Sequence, residues 1–252
     1  MEQLIKMVKK IVRLMLQSSY TVVLTGPGVS EGSIALDLNN ADERIWTMLD
    51  PDEFTIQRYK GDPSSYYDLG APFFSTLNQI KPGEAHEALA SLEKAGLIKT
   101  VITENIDGLH FLAGSKKVIE IHGTLRSASC GKCERKIALE DLITDADQEL
   151  FSPVCPDCGE LLKPDLIFES DLSNTEYTKA LEETRRAELM IIIGPGSQWS
   201  PDDQLSCECK NIVVINETPT VFDRKAAVVI NDNPAKVINL LMEELKKENQ
   251  IK

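Results

Sequence analysis

The sequence predicts an α/β protein: a parallel sheet with helices on both faces, interrupted by a helical insertion and a small cysteine-bearing module. Three observations lead there. Six short runs rich in β-branched residues lack strict polar–apolar alternation, as strands do when a parallel sheet is covered on both faces. Helical patterns lie between several of these runs, which is the alternation of an open sheet of Rossmann-like type. Two segments, 40–82 and 126–165, break that alternation.

From the amino end, Leu4, Ile5, Val8, Ile11, Val12, Met15 and Leu16 recur at helical spacing with Lys6, Lys9, Lys10 and Arg13 between them. Residues 1–20 therefore read as an amphipathic helix packed on the domain. The segment lacks the uninterrupted apolar core and small-residue cleavage site of a signal peptide. No apolar run approaches the length of a membrane span. A cytoplasmic protein without a membrane partner is expected.

YTVVLTG (20–26) is the first strand, and it runs into the glycine turn GPGVSEGS (26–33). Such a turn at the carboxyl end of a first strand is where dinucleotide phosphates sit. Pro27 has no N–H to offer there, whereas Gly28 permits close backbone approach and Ser30 supplies a hydroxyl. The spacing is G-x-G-x-x-x-G, and no strand-end acid follows about 20 residues on, which disfavours an ordinary nicotinamide dehydrogenase.

Residues 40–82, richer in Pro, Asp, Tyr and Phe, read as an irregular helical insertion. GEAHEALASLEKAG (83–96) then sets Ala85, Ala88, Leu89 and Leu92 on one helix face and ends at Gly96; His86 within it reads as a packing residue. IKTVITE (98–104) is a strand that delivers Glu104, Asn105, Asp107 and His110 within seven residues. Ligands of open sheets bind beyond such strand ends. KKVIEIHG (116–123) brings His122 and Gly123 to its own carboxyl end, where His122 is well placed as a general base. His110 reads as a capping or packing residue.

Cys130-x2-Cys133 and Cys155-x2-Cys158 come next, 21 residues apart. Each pair fits a tight knuckle directing two thiolates to one point, and four thiolates match tetrahedral Zn²⁺. Disulfides are disfavoured in a reducing compartment. With every position filled by sulfur such an ion is a structural staple, and chemistry must lie elsewhere. Beyond it, SNTEYTKALEETRRAE (173–188) is a helix and LMIIIGPG (189–196) a strand. Cys207 and Cys209 read as free thiols. NIVVINET (211–218) and AAVVIND (226–232) are strands, and NPAKVINLLMEELKKE (233–248) is a helix with proline near its start.

The 27 basic and 40 acidic residues leave a net charge of −13. Nucleic acid is thereby disfavoured as the main partner, because phosphate binding needs a basic footprint.

The block KPGEAHEALASLEKAGLIKTVITENIDGLHFLAGSKKVIEIHG (81–123) resembles the central block of the sirtuins, NAD-dependent protein deacylases. The four cysteines fit that family's zinc module, GPGVSEGSIALDLN fits its phosphate loop without a gap, and INET fits its ribose-binding strand. The resemblance implies that NAD and an acylated lysine of a protein or peptide meet between a large domain and the zinc module, with nicotinamide and O-acyl-ADP-ribose released. It implies a discontinuous Rossmann-like NAD-binding domain of residues 1–39, 83–125 and 166–252, the insertion 40–82, and a zinc module at 126–165. Cys130, Cys133, Cys155 and Cys158 would hold the ion. His122 would act as general base on a ribose hydroxyl, Asn105 would order the ribose side and Asp107 would hold the nicotinamide carboxamide. Gly26, Gly28, Ser30, Asp37, Glu104, Gly194 and Gly196 would line the dinucleotide, with Asn216 and Glu217 at the adenosine ribose.

The departures from the family pattern cluster at the same sites. Pro27 replaces Ala, Leu36-Asp37-Leu38-Asn39 replaces Pro-Asp-Phe-Arg, Glu104 replaces Gln, and Gly194-Pro195-Gly196 replaces a Gly-Thr-Ser turn. Glu169-Ser170-Asp171 stands where Phe-Gly-Glu lines the acyl-lysine channel. Each lost hydrogen bond to a charged group costs about 1.5–3 kcal/mol. Two further readings therefore stand beside deacylation: a catalytically impaired module that binds NAD, ADP-ribose or a protein, and an ADP-ribosyltransferase.

Overall fold

The computed structural model describes residues 1–32, 56–62, 65, 67, 80–138, 154–167, 175–195, 205 and 209–251. Asp37, Leu38, Asn39, Glu169, Gly196 and Cys207 lie outside them.

Six strands form the large sheet: β1 (Thr21–Thr25), β2 (Thr100–Thr103), β3 (Val118–Glu120), β7 (Leu189–Ile193), β8 (Asn211–Asn216) and β9 (Val228–Asn231). Their order is β3-β2-β1-β7-β8-β9, and every pairing is parallel. This is the Rossmann order 3-2-1-4-5-6, which reverses between β1 and β7 and opens a crevice at their carboxyl ends.

The apolar runs still alternate, but between two cores. Val23, Val101, Ile191, Ile193, Val213 and Ile215 face one cluster, built with α1 (Glu2–Gln17), α3 (Glu84–Lys94) and α6 (Pro234–Lys247). Val22, Leu24, Ile102, Ile119, Met190, Ile192, Ile212 and Val214 face the other, with α5 (Thr175–Arg186). Each of these side chains, when fully buried, contributes about 1.5–3 kcal/mol. The predicted amphipathic first helix is α1, whose Leu4, Val8, Ile11, Val12 and Met15 are buried. Asn233 caps α6 by accepting from Lys236 N–H at 3.2 Å, and Pro234 follows it in the first turn.

At the amino ends of the strands, opposite the crevice, Glu183 ties three elements together. Its carboxylate accepts from Tyr20 (2.7 Å), Thr100 (2.6 Å) and Lys117 (2.8 Å). Burial pushes this carboxyl up, but the Lys117 ammonium and the Thr100 and Tyr20 hydroxyls outweigh it and hold it at about 2.

A second, antiparallel sheet has the order β5-β4-β6, from β4 (Gly123–Cys130), β5 (Lys136–Ala138) and β6 (Leu162–Leu166). Only Ile121 and His122 separate β3 from β4. Within the insertion, α2 (Ile56–Gly61) is helical. Tyr59 and Tyr67 both donate to the Leu162 carbonyl, at 3.2 and 2.5 Å, which ties the insertion to the small sheet.

Candidate active site and metal centre

The glycine turn follows β1 as a short 3-10 helix, Pro27–Gly32, and it packs against the turn after β7. Gly26 N–H donates to the Ile193 carbonyl at 3.1 Å, Gly28 N–H to Gly194 at 3.0 Å, and Val29 N–H to Gly26 at 3.1 Å. Pro27 has no N–H, so the protein's own backbone takes every amide donor from Gly26 to Val29. Gly194 adopts a left-handed conformation, φ +57. Gly26 and Gly28 thus serve the close approach of two turns rather than offering free N–H groups. The Glu104 carboxylate covers the turn: a Cβ on Gly26 would lie 2.6 Å from its Oε2.

Behind the turn lies a buried polar chain. His86 Nδ1 accepts from Gly83 N–H at 3.2 Å, so the neutral ring carries its proton on Nε2. That nitrogen is 3.4 Å from Ser30 Oγ and donates to it. Asn105 Nδ2 donates to the same oxygen at 3.0 Å, and the Ser30 hydroxyl donates to Asp107 Oδ2 at 3.1 Å. Asp107 Oδ1 accepts from Leu109 N–H at 2.9 Å. Burial raises the Asp107 carboxyl, against the pull of these donors and of Arg126. Burial also lowers His86 to about 4 and His110 well below its usual range. His110 Nε2 pairs with Thr25 Oγ1 at 2.8 Å, and its ring lies 4.8 Å from that of His86.

Asn105 is 1% exposed, yet its Oδ1 has no hydrogen-bonding partner among the described residues. An acceptor enclosed in this way loses the full cost of its desolvation until a donor arrives. A ribose hydroxyl is such a donor, so the residues present fit a dinucleotide in the crevice.

His122 sits half-buried at the seam of the two sheets. Its carbonyl accepts from Ile167 N–H at 2.9 Å. Gly123 has φ +76, and a Cβ there would lie 2.1 Å from the Asp165 carbonyl oxygen, so only glycine lets β4 and β6 meet directly after His122. Asn216 and Glu217 stand at the end of β8, two strands (about 10 Å) from β1. Asn216 donates to the Thr218 carbonyl at 2.7 Å and Glu217 accepts from Asn233 at 3.0 Å.

The crevice therefore gathers Gly26, Gly28, Ser30, Glu104, Asn105, Asp107 and Gly194. His86 belongs with them, although the sequence reading made it packing. Its signal was its place at the third residue of α3, where a side chain reaches back to an N-cap amide.

The four cysteine sulfurs lie within 4.8 Å of one another. Cys130–Cys158 and Cys133–Cys155 are each separated by 3.5 Å. Tetrahedral Zn–S bonds of 2.3 Å imply sulfur separations of about 3.8 Å, so the cluster fits one zinc ion. The two knuckles match: Glu134 N–H donates to the Cys130 carbonyl and Gly159 N–H to the Cys155 carbonyl. Glu134 and Gly159 are both left-handed, with φ +60 and +71.

A family model described as "Sir2 family" matches residues 26–201. The chain belongs to the Sir2 family. An NAD-dependent protein deacetylase of Caldanaerobacter subterraneus subsp. tengcongensis is 36% identical over 89% of this sirtuin and 90% of that protein. A second, from Thermotoga maritima, is 34% identical over 94% and 97%. Among solved structures, a Sir2 homologue in complex with NAD superposes with a TM-score of 0.82 at 28% identity, covering 95% and 94% of the two chains. Sir2 bound to an acetylated peptide superposes at 0.79 with 31% identity, covering 96% and 98%. The fold expected from the sequence, with its parallel sheet and four-cysteine module, is the one found. No helix among the described residues is long and apolar enough to cross a membrane.

Proposed function

We propose that this sirtuin is an NAD-dependent protein deacylase that removes acyl groups from protein lysines and releases nicotinamide and O-acyl-ADP-ribose. The observation that carries the reading is the enclosed Asn105 Oδ1, just beyond the end of β2, which has no hydrogen-bonding partner among the described residues. NAD, when bound, supplies an ADP-ribosyl group that can be passed to an acyl oxygen. Asn105 accepts a ribose hydroxyl, oriented by its own amide bond to Ser30. Both Asp107 oxygens already accept one protein donor, and each keeps a second lone pair for a carboxamide N–H. His122, half-buried just beyond the carboxyl end of β3, takes the proton from a ribose hydroxyl as general base. Asn216 and Glu217 meet the adenosine ribose at the far end. Fixed polar groups of this kind stabilise developing positive charge without reorganising.

The cysteine module holds zinc as a staple, within working limits of 126–165. Four cysteines clustered at metal-binding spacing favour a cytoplasmic home over an oxidising one.

The crowding of Gly26 and Gly28 favours one competing reading, a module that binds nucleotide weakly and turns nothing over. Nicotinamide release at saturating NAD, with and without an acylated peptide, decides. Release only with peptide is expected. Equal release without peptide indicates ADP-ribosyl transfer or hydrolysis instead, and no release indicates the binding module.

A further inference from the structure

The turn that carries Asp107 leaves the large sheet at the end of β2, yet the small sheet holds it. Two consecutive carbonyls of the turn accept from two consecutive residues of β4. Leu125 N–H donates to the Ile106 carbonyl at 2.9 Å, and Arg126, through its side-chain Nε, donates to the Asp107 carbonyl at 2.5 Å. The Arg126 side chain reaches that carbonyl across Gly108. A Cβ on Gly108 would lie 2.6 Å from Arg126 Cγ, so the arginine stem rests directly on the glycine.

What the Nε bond restrains is the peptide plane between Asp107 and Gly108. Asp107 is 2% exposed, and its Oδ1 accepts from Leu109 N–H at 2.9 Å. That bond closes a side-chain turn over the plane and aims the carboxyl. Gly108 sits in the left-handed region, φ +67 and ψ +14, ahead of α4 (Leu109–Leu112). Glycine populates both signs of φ about equally, so Gly108 does not hold the plane by itself. With its oxygen released the plane can turn, and the geometry that aims Oδ1 at Leu109 N–H loosens with it.

We propose that Arg126 is a positioning residue for Asp107: by gripping the Asp107 carbonyl from β4, it fixes the turn that presents the Asp107 carboxyl to the nicotinamide carboxamide. This rests on the deacylase reading of Asp107.

The test uses the full-length protein and two substitutions chosen by reach. R126Q keeps most of the stem and places an amide N–H where Nε stands. R126M keeps the stem and places a methyl group there. Activity is read as kcat, KM for NAD and acyl-peptide, and the inhibition constant of nicotinamide. The turn is read directly by NMR, as hydrogen exchange of the Leu109 amide. R126M is expected to raise NAD KM and the nicotinamide constant roughly tenfold, while acyl-peptide KM moves less than about twofold. Its Leu109 amide is expected to exchange roughly tenfold faster. R126Q, which keeps the donor without the charge, stays within about threefold of the wild type on every readout. A side chain that only supported the fold would move acyl-peptide KM and Tm together with the rest.

Unchanged NAD KM and nicotinamide inhibition in R126M overturn the proposal, as does a parallel rise in acyl-peptide KM. R126Q falling to the level of R126M overturns it too, because the charge rather than the Nε bond then carries the effect. A wild type that turns over no acyl-peptide overturns the deacylase reading instead. Leu109 exchange then decides alone: equal rates in wild type, R126Q and R126M end the proposal. Should R126M fail to fold, R126S, too short to reach the carbonyl, takes its place in the same comparison.

Discussion

Gly28 and Gly194 touch backbone to backbone. The Gly28 amide donates to the Gly194 carbonyl at 3.0 Å, and a Cβ on either residue would come within 2.8 Å of the other's main chain. The turns after β1 and β7 are locked by this contact at the point where the strand order reverses.

Gly194→Ala is therefore expected to lower stability. The left-handed conformation and the 2.6 Å approach to the Gly28 carbonyl carbon both oppose a side chain. A loss of about 2 kcal/mol lowers Tm by roughly 4–8 °C in a chain of this size. Thermal melting checks this, and NAD affinity measured by calorimetry should fall with it.

Glu104→Gln should tighten NAD. The carboxylate lies over Gly26, beside the place where the pyrophosphate is expected. Two unit charges about 6 Å apart repel by roughly 0.7 kcal/mol in water and more where partly screened from it. NAD KM is expected to fall roughly threefold at low salt, with the gain shrinking as salt is added. An unchanged KM would place the pyrophosphate elsewhere.

Acid should weaken the fold in two stages. His86 is held at about 4, below its usual 6.5, so between those values the unfolded chain binds a proton that the folded chain does not. Stability then falls as pH drops from 6.5 towards 4, by about 3 kcal/mol for this residue. Glu183 is held at about 2, below its usual 4.5, so its contribution is present above 4.5 and disappears as pH falls from there to 2. Urea midpoints across this range read both stages. His86→Asn should flatten the first and Glu183→Gln the second.

Metal analysis should find one zinc per chain, and Cys133→Ser or Cys155→Ser should lose it together with several degrees of Tm. Glu134→Gly should have the opposite effect. The residue sits in a left-handed conformation that its counterpart, Gly159, adopts without strain. Relief of about 1 kcal/mol raises Tm by roughly 2–4 °C.

The large sheet was legible because β-branched runs such as LMIIIG and NIVVIN have no competing helical period. The cysteine cluster was legible because its spacing is local. The partners inside the crevice were not. Gly28 invited a phosphate-loop reading, and nothing in its neighbourhood announces Gly194 as the group it donates to. Ser30 likewise offered a hydroxyl for phosphate, whereas in the fold that hydroxyl donates to Asp107. His86 lay in an alanine-rich helix whose apolar face explained it too easily. Contacts between residues far apart in the chain are set by how strands cross over, which composition and period do not encode.

The position of His122 between two differently built sheets has a mechanical outcome. One side of the residue is continuous with the parallel sheet through β3, and the other enters the antiparallel sheet at Gly123, where Ile167 fixes its carbonyl. A strain applied to either sheet is therefore passed to the backbone of this one residue, which each sheet holds from its own side.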